Sequence, residues 1–225
     1  MTLAPDPSYP GAPTGAISGG TGNTIQINSV GYPRNSFYVY QQVYGSDGRP
    51  LDGVYVDRNK DGIVNENDLY RYKSSDPKGY FGLSSNVNYK KWSAGFVARA
   101  SVGNYVYNNV FAGSGTQLSI FNGIGILNNA STNLLETGMT GSFDKSRLSD
   151  YYIQNASFIR MDNVNVGYNF GKVFHNTGNL RLSANVQNVF VITKYKGLDP
   201  EVNNGIDNNF YPRPRTYVLG LNLSL

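Results

Sequence analysis

The residues best suited to chemistry lie between Asp57 and Asp68, where oxygen-bearing side chains recur at the spacing of a calcium-binding loop. A loop of this kind supplies oxygen ligands from its positions 1, 3, 5, 7, 9 and 12, and a glycine at position 6 permits the sharp turn. Calcium suits the pattern because it is a hard cation that takes about six to eight oxygen ligands. The predicted ligands are Asp57, Asn59, Asp61, Ile63 through its backbone carbonyl, Asn65 and Asp68.

Two features weaken this predicted calcium site. Asp68 stands where such loops usually carry a glutamate, and its shorter side chain gives poorer bidentate closure. The flanking sequence also lacks the pair of helices that usually surrounds such a loop. We therefore expect any Ca²⁺ to bind weakly, with a dissociation constant on the order of 10⁻⁴ to 10⁻³ M. The alternative is a series of Asx turns, in which the side chains bond to the local backbone and to water.

Other chemistry has little support in the sequence. The chain has no cysteine and one histidine, His175, which lies in a predicted turn without a carboxylate or thiol beside it. Asp199 and Glu201 form the obvious pair of carboxylates for a glycosidase, but nothing in the sequence orients them. The formal charge of +4 is scattered and forms no basic patch, which argues against a nucleic-acid partner. We expect a protein that is not an enzyme.

The clearest structural signal is the alternation of apolar and polar residues. Successive side chains of a β-strand point to opposite faces of a sheet, so a period of two predicts strands. Most of these runs are about ten residues long, which a tilted strand needs to cross a bilayer. Residues 1–35 are predicted to be loop, apart from a short strand through Thr24, Gln26 and Asn28. The other predicted strands are 36–44, 78–89, 92–102, 158–170, 180–187 and 217–225.

The connections between the long predicted strands alternate between short and long. Short turns lie at 90–91 and 171–178, and long connections lie at 103–150 and 194–212. This asymmetry is typical of outer-membrane barrels, which have short periplasmic turns and long extracellular loops. It places the C-terminus in the periplasm and predicts that 103–150 is a long extracellular loop without regular structure. No run of eighteen apolar residues is present, whereas a barrel strand needs only every second residue to be apolar.

The alternation changes phase within the predicted strand 158–170. Val164, Val166 and Tyr168 form a regular apolar series, but Arg160 and Asp162 occupy the same phase. We interpret the change as a β-bulge, or as the point where the strand extends beyond the lipid.

Aromatic residues cluster near the ends of the predicted strands, on the side of the long loops. The simpler interpretation is an interfacial girdle, in which amphipathic rings lie at the level of the lipid headgroups. The alternative is contact with a substrate or with a partner protein above the barrel. The residues proposed for such contact are Tyr105, Tyr107, Tyr195, Phe210 and Tyr211.

Three segments in the C-terminal part resemble the SusC/RagA family of TonB-linked outer-membrane proteins. They are Asn-Ala-Ser-Phe-Ile-Arg-Met-Asp-Asn-Val-Asn-Val-Gly-Tyr-Asn-Phe (155–170), the segment 183–201 beginning Ser-Ala-Asn-Val-Gln-Asn-Val-Phe, and Gly-Ile-Asp-Asn-Asn-Phe-Tyr-Pro-Arg-Pro-Arg-Thr-Tyr (205–217). Residues 19–24 and 57–62 fit the same family. The chain departs from the family at its last residue, where Leu225 stands in place of the usual aromatic residue.

The resemblance implies an energised importer in the outer membrane of a Gram-negative bacterium. Members of the family combine a barrel with an N-terminal plug, take energy from the TonB complex, and work with a SusD-like lipoprotein that captures glycans or peptides. The barrel-assembly machinery reads a signal in the last strand of such a barrel. In this chain that assembly signal is Tyr217, Leu219, Leu221, Leu223 and Leu225.

We therefore expect an all-β fold in which residues 1–225 are the C-terminal strands of an antiparallel transmembrane β-barrel that contacts outer-membrane lipid. These strands are too few to close, since a small barrel needs about eight and transporters of this kind have about 22. The N-terminus lacks a signal-peptide pattern, so we expect the tail of a longer protein whose missing N-terminal part contacts the TonB complex. Two alternatives stay open: a secreted, calcium-stabilised, carbohydrate-binding β-sandwich, and a gene remnant that never inserts into a membrane.

Overall fold

The computed structural model describes residues 10–17, 23–121, 125, 127–142, 145–174, 178–208 and 211–224. Over these residues the chain forms mainly β-strands joined by turns and short helices. None of the helices in this described part has the length and apolarity needed to cross a membrane. The strands are β1 (Ala12–Ala16), β2 (Thr24–Asn28), β3 (Ser36–Val39), β4 (Gln42–Tyr44), β5 (Pro50–Tyr55), β6 (Tyr70–Ser74), β7 (Gly79–Tyr89), β8 (Trp92–Val102), β9 (Tyr105–Asn108), β10 (Ile153–Asn155), β11 (Phe158–Val173), β12 (Gly178–Thr193), β13 (Ile206–Asp207) and β14 (Thr216–Ser224). The helices are α1 (Asn109–Ser114), α2 (Gln117–Ile120) and α3 (Asn133–Thr137), with single 3₁₀ turns at Glu66–Asp68, Asp150–Tyr152 and Asn203–Gly205.

The chain divides into two compact units, and each is built from three separate segments. The first unit contains Met1–Pro77, Asn104–Ala156 and Tyr195–Phe210. The second unit contains Lys78–Gly103, Ser157–Lys194 and Tyr211–Leu225. The long connections predicted from the sequence therefore belong largely to the first unit, and the long predicted strands belong to the second.

The described part of the second unit is a five-stranded antiparallel sheet in the order β14-β12-β11-β8-β7. These strands confirm the five long strands predicted from alternation, and Lys90 and Lys91 form the two-residue turn between β7 and β8. The sheet does not close on itself, since β7 and β14 form its two edges. One row of paired residues crosses all five strands, namely Tyr89, Trp92, Tyr168, Leu182 and Leu221.

The two faces of this sheet differ in polarity. Large apolar side chains on one face are exposed, with relative exposures of 66% for Phe81, 64% for Leu83 and 88% for Leu219. A β-sandwich would bury such a face against a second sheet. The exposed face instead agrees with the predicted wall of a transmembrane barrel, whose outward side chains contact lipid.

The predicted irregularity in β11 is confirmed as a bulge. Pairing with both neighbouring strands shifts between Met161 and Asn163, which leaves Asp162 as an extra residue relative to β8. Asp162 accepts a hydrogen bond from Nε of Arg99 at 2.7 Å. At the same level of β12, Asn188 adopts a φ of 51°, in the left-handed region.

Asn188 links three segments of the second unit. Its Oδ1 accepts a hydrogen bond from Nη1 of Arg160 at 2.8 Å, and its Nδ2 donates to the carbonyl oxygen of Arg213 at 2.8 Å. Arg160 is only 1% exposed, so its guanidinium depends on partners within the protein. Because Arg213 precedes β14, the Asn188 side chain ties both β11 and the approach to the last strand to β12.

The described part of the first unit holds three small sheets and a principal apolar core. β1, β2, β3 and β6 form a four-stranded sheet, β10, β9 and β13 form a three-stranded sheet, and β4 pairs with β5. The core joins residues that are far apart in the sequence. Its members include Ile25, Phe37, Val39, Tyr107, Phe111, Met139, Tyr152 and Ile206.

The prediction that 103–150 lacks regular structure is wrong. This segment contains β9 and the helices α1, α2 and α3, and it contributes Tyr107, Phe111 and Met139 to the core. Its apolar residues are spaced irregularly among Asn, Gly and Ser, so no periodicity reveals them. The predicted strand 36–44 is also divided into β3 and β4, and β1, which was not predicted, pairs with the predicted strand β2.

We predict that Asn188 stabilises the second unit through both its side chain and its backbone conformation. Asn188→Ala removes one hydrogen-bond partner of the buried Arg160 and puts at positive φ a residue that tolerates it poorly. The free energy of unfolding should therefore fall by about 2–4 kcal/mol. Asn188→Gly loses the same side chain but accepts the φ angle, and should recover about 1 kcal/mol of that loss.

Urea unfolding in detergent micelles, followed by the fluorescence of Trp92, the only tryptophan of the chain, measures both variants. Two variants as stable as the wild type would show that Asn188 does not hold the bulge.

Candidate functional site

The predicted calcium ligands lie in one loop of the first unit, between β5 and β6. Asp57 accepts backbone hydrogen bonds from Lys60 at 2.6 Å and from Gly62 at 2.8 Å. Asp61 accepts a hydrogen bond from the backbone N–H of Ile63 at 2.8 Å. These are local side chain to backbone bonds of the Asx type, so the loop is held in shape by its own carboxylates.

Asp68 closes the loop from its C-terminal end. Its buried side chain accepts backbone hydrogen bonds from Asn65 at 2.8 Å, Arg58 at 2.8 Å and Asn59 at 3.3 Å. These bonds, above all the one from Asn65, favour the ionised carboxylate and lower the pKa of Asp68. Asn65 also caps the following 3₁₀ turn by accepting a hydrogen bond from the backbone N–H of Asn67 at 2.8 Å.

These contacts account for the shape of the loop without a metal ion. Asp57, Asp61 and Asp68 already use their oxygens to accept hydrogen bonds, and the carbonyl oxygen of Ile63 accepts one from Nδ2 of Asn65 at 3.3 Å. Within the residues that the structure describes, no group of three or more His, Cys, Asp or Glu side chains is arranged to hold a metal. Calcium binding by this loop stays a prediction.

Two of the tyrosines proposed for substrate or partner contact are structural. Tyr107 is fully buried, and its hydroxyl donates to the carbonyl oxygen of Arg147 at 2.6 Å. Tyr195 is 5% exposed and donates to Oδ2 of Asp207 at 2.6 Å, and burial together with this bond raises the pKa of Tyr195. The structure corrects the contact prediction for both, because their rings pack inside the first unit.

The other aromatic residues of that group differ in exposure. Tyr105 packs at the edge of the core of the first unit, whereas Tyr211 is 91% exposed. Phe210 lies outside the described residues, as does His175. Contact of Tyr105, Phe210 and Tyr211 with a substrate or a partner stays a prediction.

The predicted assembly signal lies on β14, the edge strand of the sheet. Its described members all point to the apolar face and are exposed, and Leu225 lies outside the described residues. β14 pairs along its whole length with β12. Recognition of this strand by the barrel-assembly machinery stays a prediction. The described members are Tyr217, Leu219, Leu221 and Leu223.

The polar face of the sheet carries a network that the sequence alone does not reveal. Nδ2 of Asn163 donates to Oδ1 of Asn185 at 2.6 Å, and Nη2 of Arg181 donates to Oγ of Ser93 at 3.0 Å. Gly167 leaves room for the second bond, because a β-carbon there would lie 2.7 Å from Oγ of Ser93. Alternation indicated which side chains share this face, but the cross-strand register decides which of them meet.

Sequence comparison finds relatives among TonB-dependent receptors. The chain is 42% identical over 214 residues to the TonB-dependent receptor SusC of Bacteroides thetaiotaomicron. This alignment covers 92% of this chain and 21% of SusC. It is 27% identical to the TonB-dependent receptor P3 of Formosa agariphila, over 88% of this chain and 23% of that protein. No protein-family model matches the chain.

Structural comparison leads to the same group of proteins. The RagAB peptide importer in its open-open state matches with a TM-score of 0.69 and 25% identity, covering 94% of this chain and 24% of the other. A second structure, of the RagAB peptide transporter, matches with a TM-score of 0.65 and 25% identity, covering 89% and 24%. The chain thus spans about a fifth to a quarter of the length of these relatives. Over that length it belongs to the SusC/RagA family of TonB-dependent receptors, and its long strands are strands of a transmembrane β-barrel.

Proposed function

We propose that this chain forms part of an outer-membrane importer of glycans or peptides that draws energy from a TonB complex and works with a SusD-like lipoprotein. The observation that carries the proposal is the two-faced sheet of the second unit, in a chain 42% identical to SusC. Such a sheet separates lipid from a polar interior, which is the task of a barrel wall in a transporter.

The dimensions of the strands suit this role. β7 and β8 each have 11 residues, close to the 9–11 that a tilted strand needs to cross the hydrocarbon core. β11 and β12 each have 16 residues, so they are long enough to extend beyond the hydrocarbon at one end. Residues 169–173 of β11 extend beyond its pairing with β8, whereas the bulge and its charged side chains, Arg99 and Asp162, lie towards the opposite end of the strand.

The polar face has the chemistry that an importer of glycans or peptides needs. Its amide and hydroxyl groups, among them Asn163, Asn185 and Ser93, both donate and accept hydrogen bonds. Sugars and peptide bonds present groups of the same kind. The RagAB relatives are described as a peptide importer and a peptide transporter, which supports peptides as one of the two substrate classes.

Substrate uptake by the natural host tests the proposed import. Deleting the gene that encodes this chain should abolish uptake of either fluorescently labelled oligosaccharides or labelled peptides, and deleting TonB should reproduce the loss. Growth on a monosaccharide or on free amino acids controls for general fitness. Loss of uptake of one of the two classes identifies the substrate class, whereas unchanged uptake of both classes contradicts the proposal.

Arginine substitutions on β14 test the placement of the sheet in lipid. Leu219→Arg should destabilise the folded state in a bilayer by about 2–4 kcal/mol, because it puts a charge on the lipid-facing side. Leu221→Arg should cost less, since Leu221 shares a row with Trp92 and Tyr168 near the end of the sheet, where the interface is closer.

The matched control is Asn222→Arg, which adds the same side chain to the polar face of the same strand and should be close to neutral. Urea unfolding from phospholipid vesicles measures all three variants. A cost at Asn222 equal to that at Leu219 would show that β14 does not face lipid on one side.

For the loop between Asp57 and Asp68 we propose a weak calcium site. The melting temperature should rise as CaCl₂ is raised through roughly 10⁻⁴ to 10⁻³ M, because an ion bound only by the folded state stabilises it. Asp57→Asn removes a charged ligand and should abolish the rise. Asp47→Asn, in the turn between β4 and β5, should preserve it.

Melting curves in MgCl₂ at equal ionic strength control for salt. A melting temperature that does not respond to calcium would leave this loop as a set of Asx turns.

A further inference from the structure

We propose that one end of the sheet in the second unit binds the headgroup of an anionic phospholipid. The inference rests on the proposed placement of this sheet in a bilayer and extends it by naming a lipid class. The site, called here the basic–aromatic rim, consists of Lys90 and Lys91 together with Tyr89, Trp92, Tyr168 and Phe170.

The charge of the second unit is strongly unbalanced. Its sequence contains one acidic residue, Asp162, which lies away from the rim and 2.7 Å from Nε of Arg99. The unit's sequence therefore contains no other acidic side chain to neutralise the rim lysines. Its basic residues are Lys78, Lys90, Lys91, Arg99, Arg160, Lys172, Arg181, Lys194, Arg213 and Arg215.

One turn places both rim lysines at the same end of the sheet. Lys90 and Lys91 form the turn between β7 and β8, and Nζ of Lys91 donates to the carbonyl oxygen of Phe170 at 3.2 Å. Lys172 follows a register shift in β11 and pairs with Asn179 on the polar face, so it is not part of the rim. Lys90 and Lys91 are both exposed, so their ammonium groups are accessible to a ligand.

Aromatic rings lie next to these lysines on the lipid-facing side. The ring of Trp92 contacts that of Tyr168 edge-on with centroids 4.7 Å apart, and Tyr168 contacts Phe170 at 4.8 Å. Nζ of Lys90 lies 5.3 Å from the ring centroid of Tyr89. Because Trp and Tyr rings prefer the level of lipid headgroups, these contacts put the lysines at the depth of the phosphates.

A shallow apolar hollow continues from the rings along the lipid-facing side of the sheet. Its volume is about 460 Å³, and Trp92, Tyr168, Leu182 and Leu219 are among the residues that line it. An acyl chain has the apolar character to lie in this hollow while its phosphate reaches the lysines. Lysine ammonium groups are compact cations that pair well with phosphate, so a headgroup with net negative charge is favoured over a zwitterionic one.

Native mass spectrometry of the natural protein, purified in detergent, tests this inference. Phosphatidylglycerol should bind in preference to phosphatidylethanolamine with the same acyl chains. Lys90→Gln should weaken phosphatidylglycerol binding by about fivefold, because it removes one lysine at the level of the headgroups. Lys91 is left in place because its bond to the carbonyl of Phe170 supports the turn.

The matched control is Lys78→Gln, which removes the same charge at the opposite end of the sheet and should preserve the preference. Equal binding of the two phospholipids, an equal loss in the control, or retention of lipopolysaccharide alone would overturn the inference. A protein that inserts into bilayers without lipid preference refutes this inference alone, whereas a protein that does not insert refutes the proposed function as well.

Discussion

A strand that crosses hydrocarbon must satisfy its backbone N–H and C=O groups within the sheet, because lipid offers them no hydrogen-bond partner. The second unit meets this constraint with antiparallel pairing that continues from β7 through to β14. The same constraint produces the sequence pattern, since each strand then presents alternate side chains to lipid and to the interior. Where the pairing is interrupted at Asp162 and Asn188, side-chain hydrogen bonds from Arg99 and Arg160 compensate.

The two ends of this sheet differ in ways that suit an asymmetric membrane. At one end, the turn between β7 and β8 holds lysines beside aromatic rings, and at the other, the strands continue into longer connections. Between them, one face is apolar and exposed while the other is joined by amide and hydroxyl hydrogen bonds, such as that of Asn163 with Asn185. One sheet therefore has an apolar face for lipid and a polar face, as the wall of a transmembrane barrel requires.

The sequence predicted the second unit far better than the first. Period-two alternation is a local signal, so it located the five long strands, the two-residue turn and the bulge near Asp162. The first unit depends on contacts between distant segments, and its core residues Phe111 and Met139 follow no period. For the same reason the burial of Tyr107 and Tyr195 was not predicted. In the loop between Asp57 and Asp68, spacing identified the residues but not the backbone N–H groups to which their carboxylates bond.

The central claim is that the five-stranded sheet stands between lipid and a polar interior. The chain has no cysteine, so single cysteines placed in turn at the six positions from Tyr217 to Asn222 can each carry a nitroxide label without background. In lipid vesicles, accessibility to oxygen should be highest at Tyr217, Leu219 and Leu221, and accessibility to a water-soluble nickel complex should be highest at the intervening positions. Equal accessibility at neighbouring positions, or water access on both faces, would contradict the account.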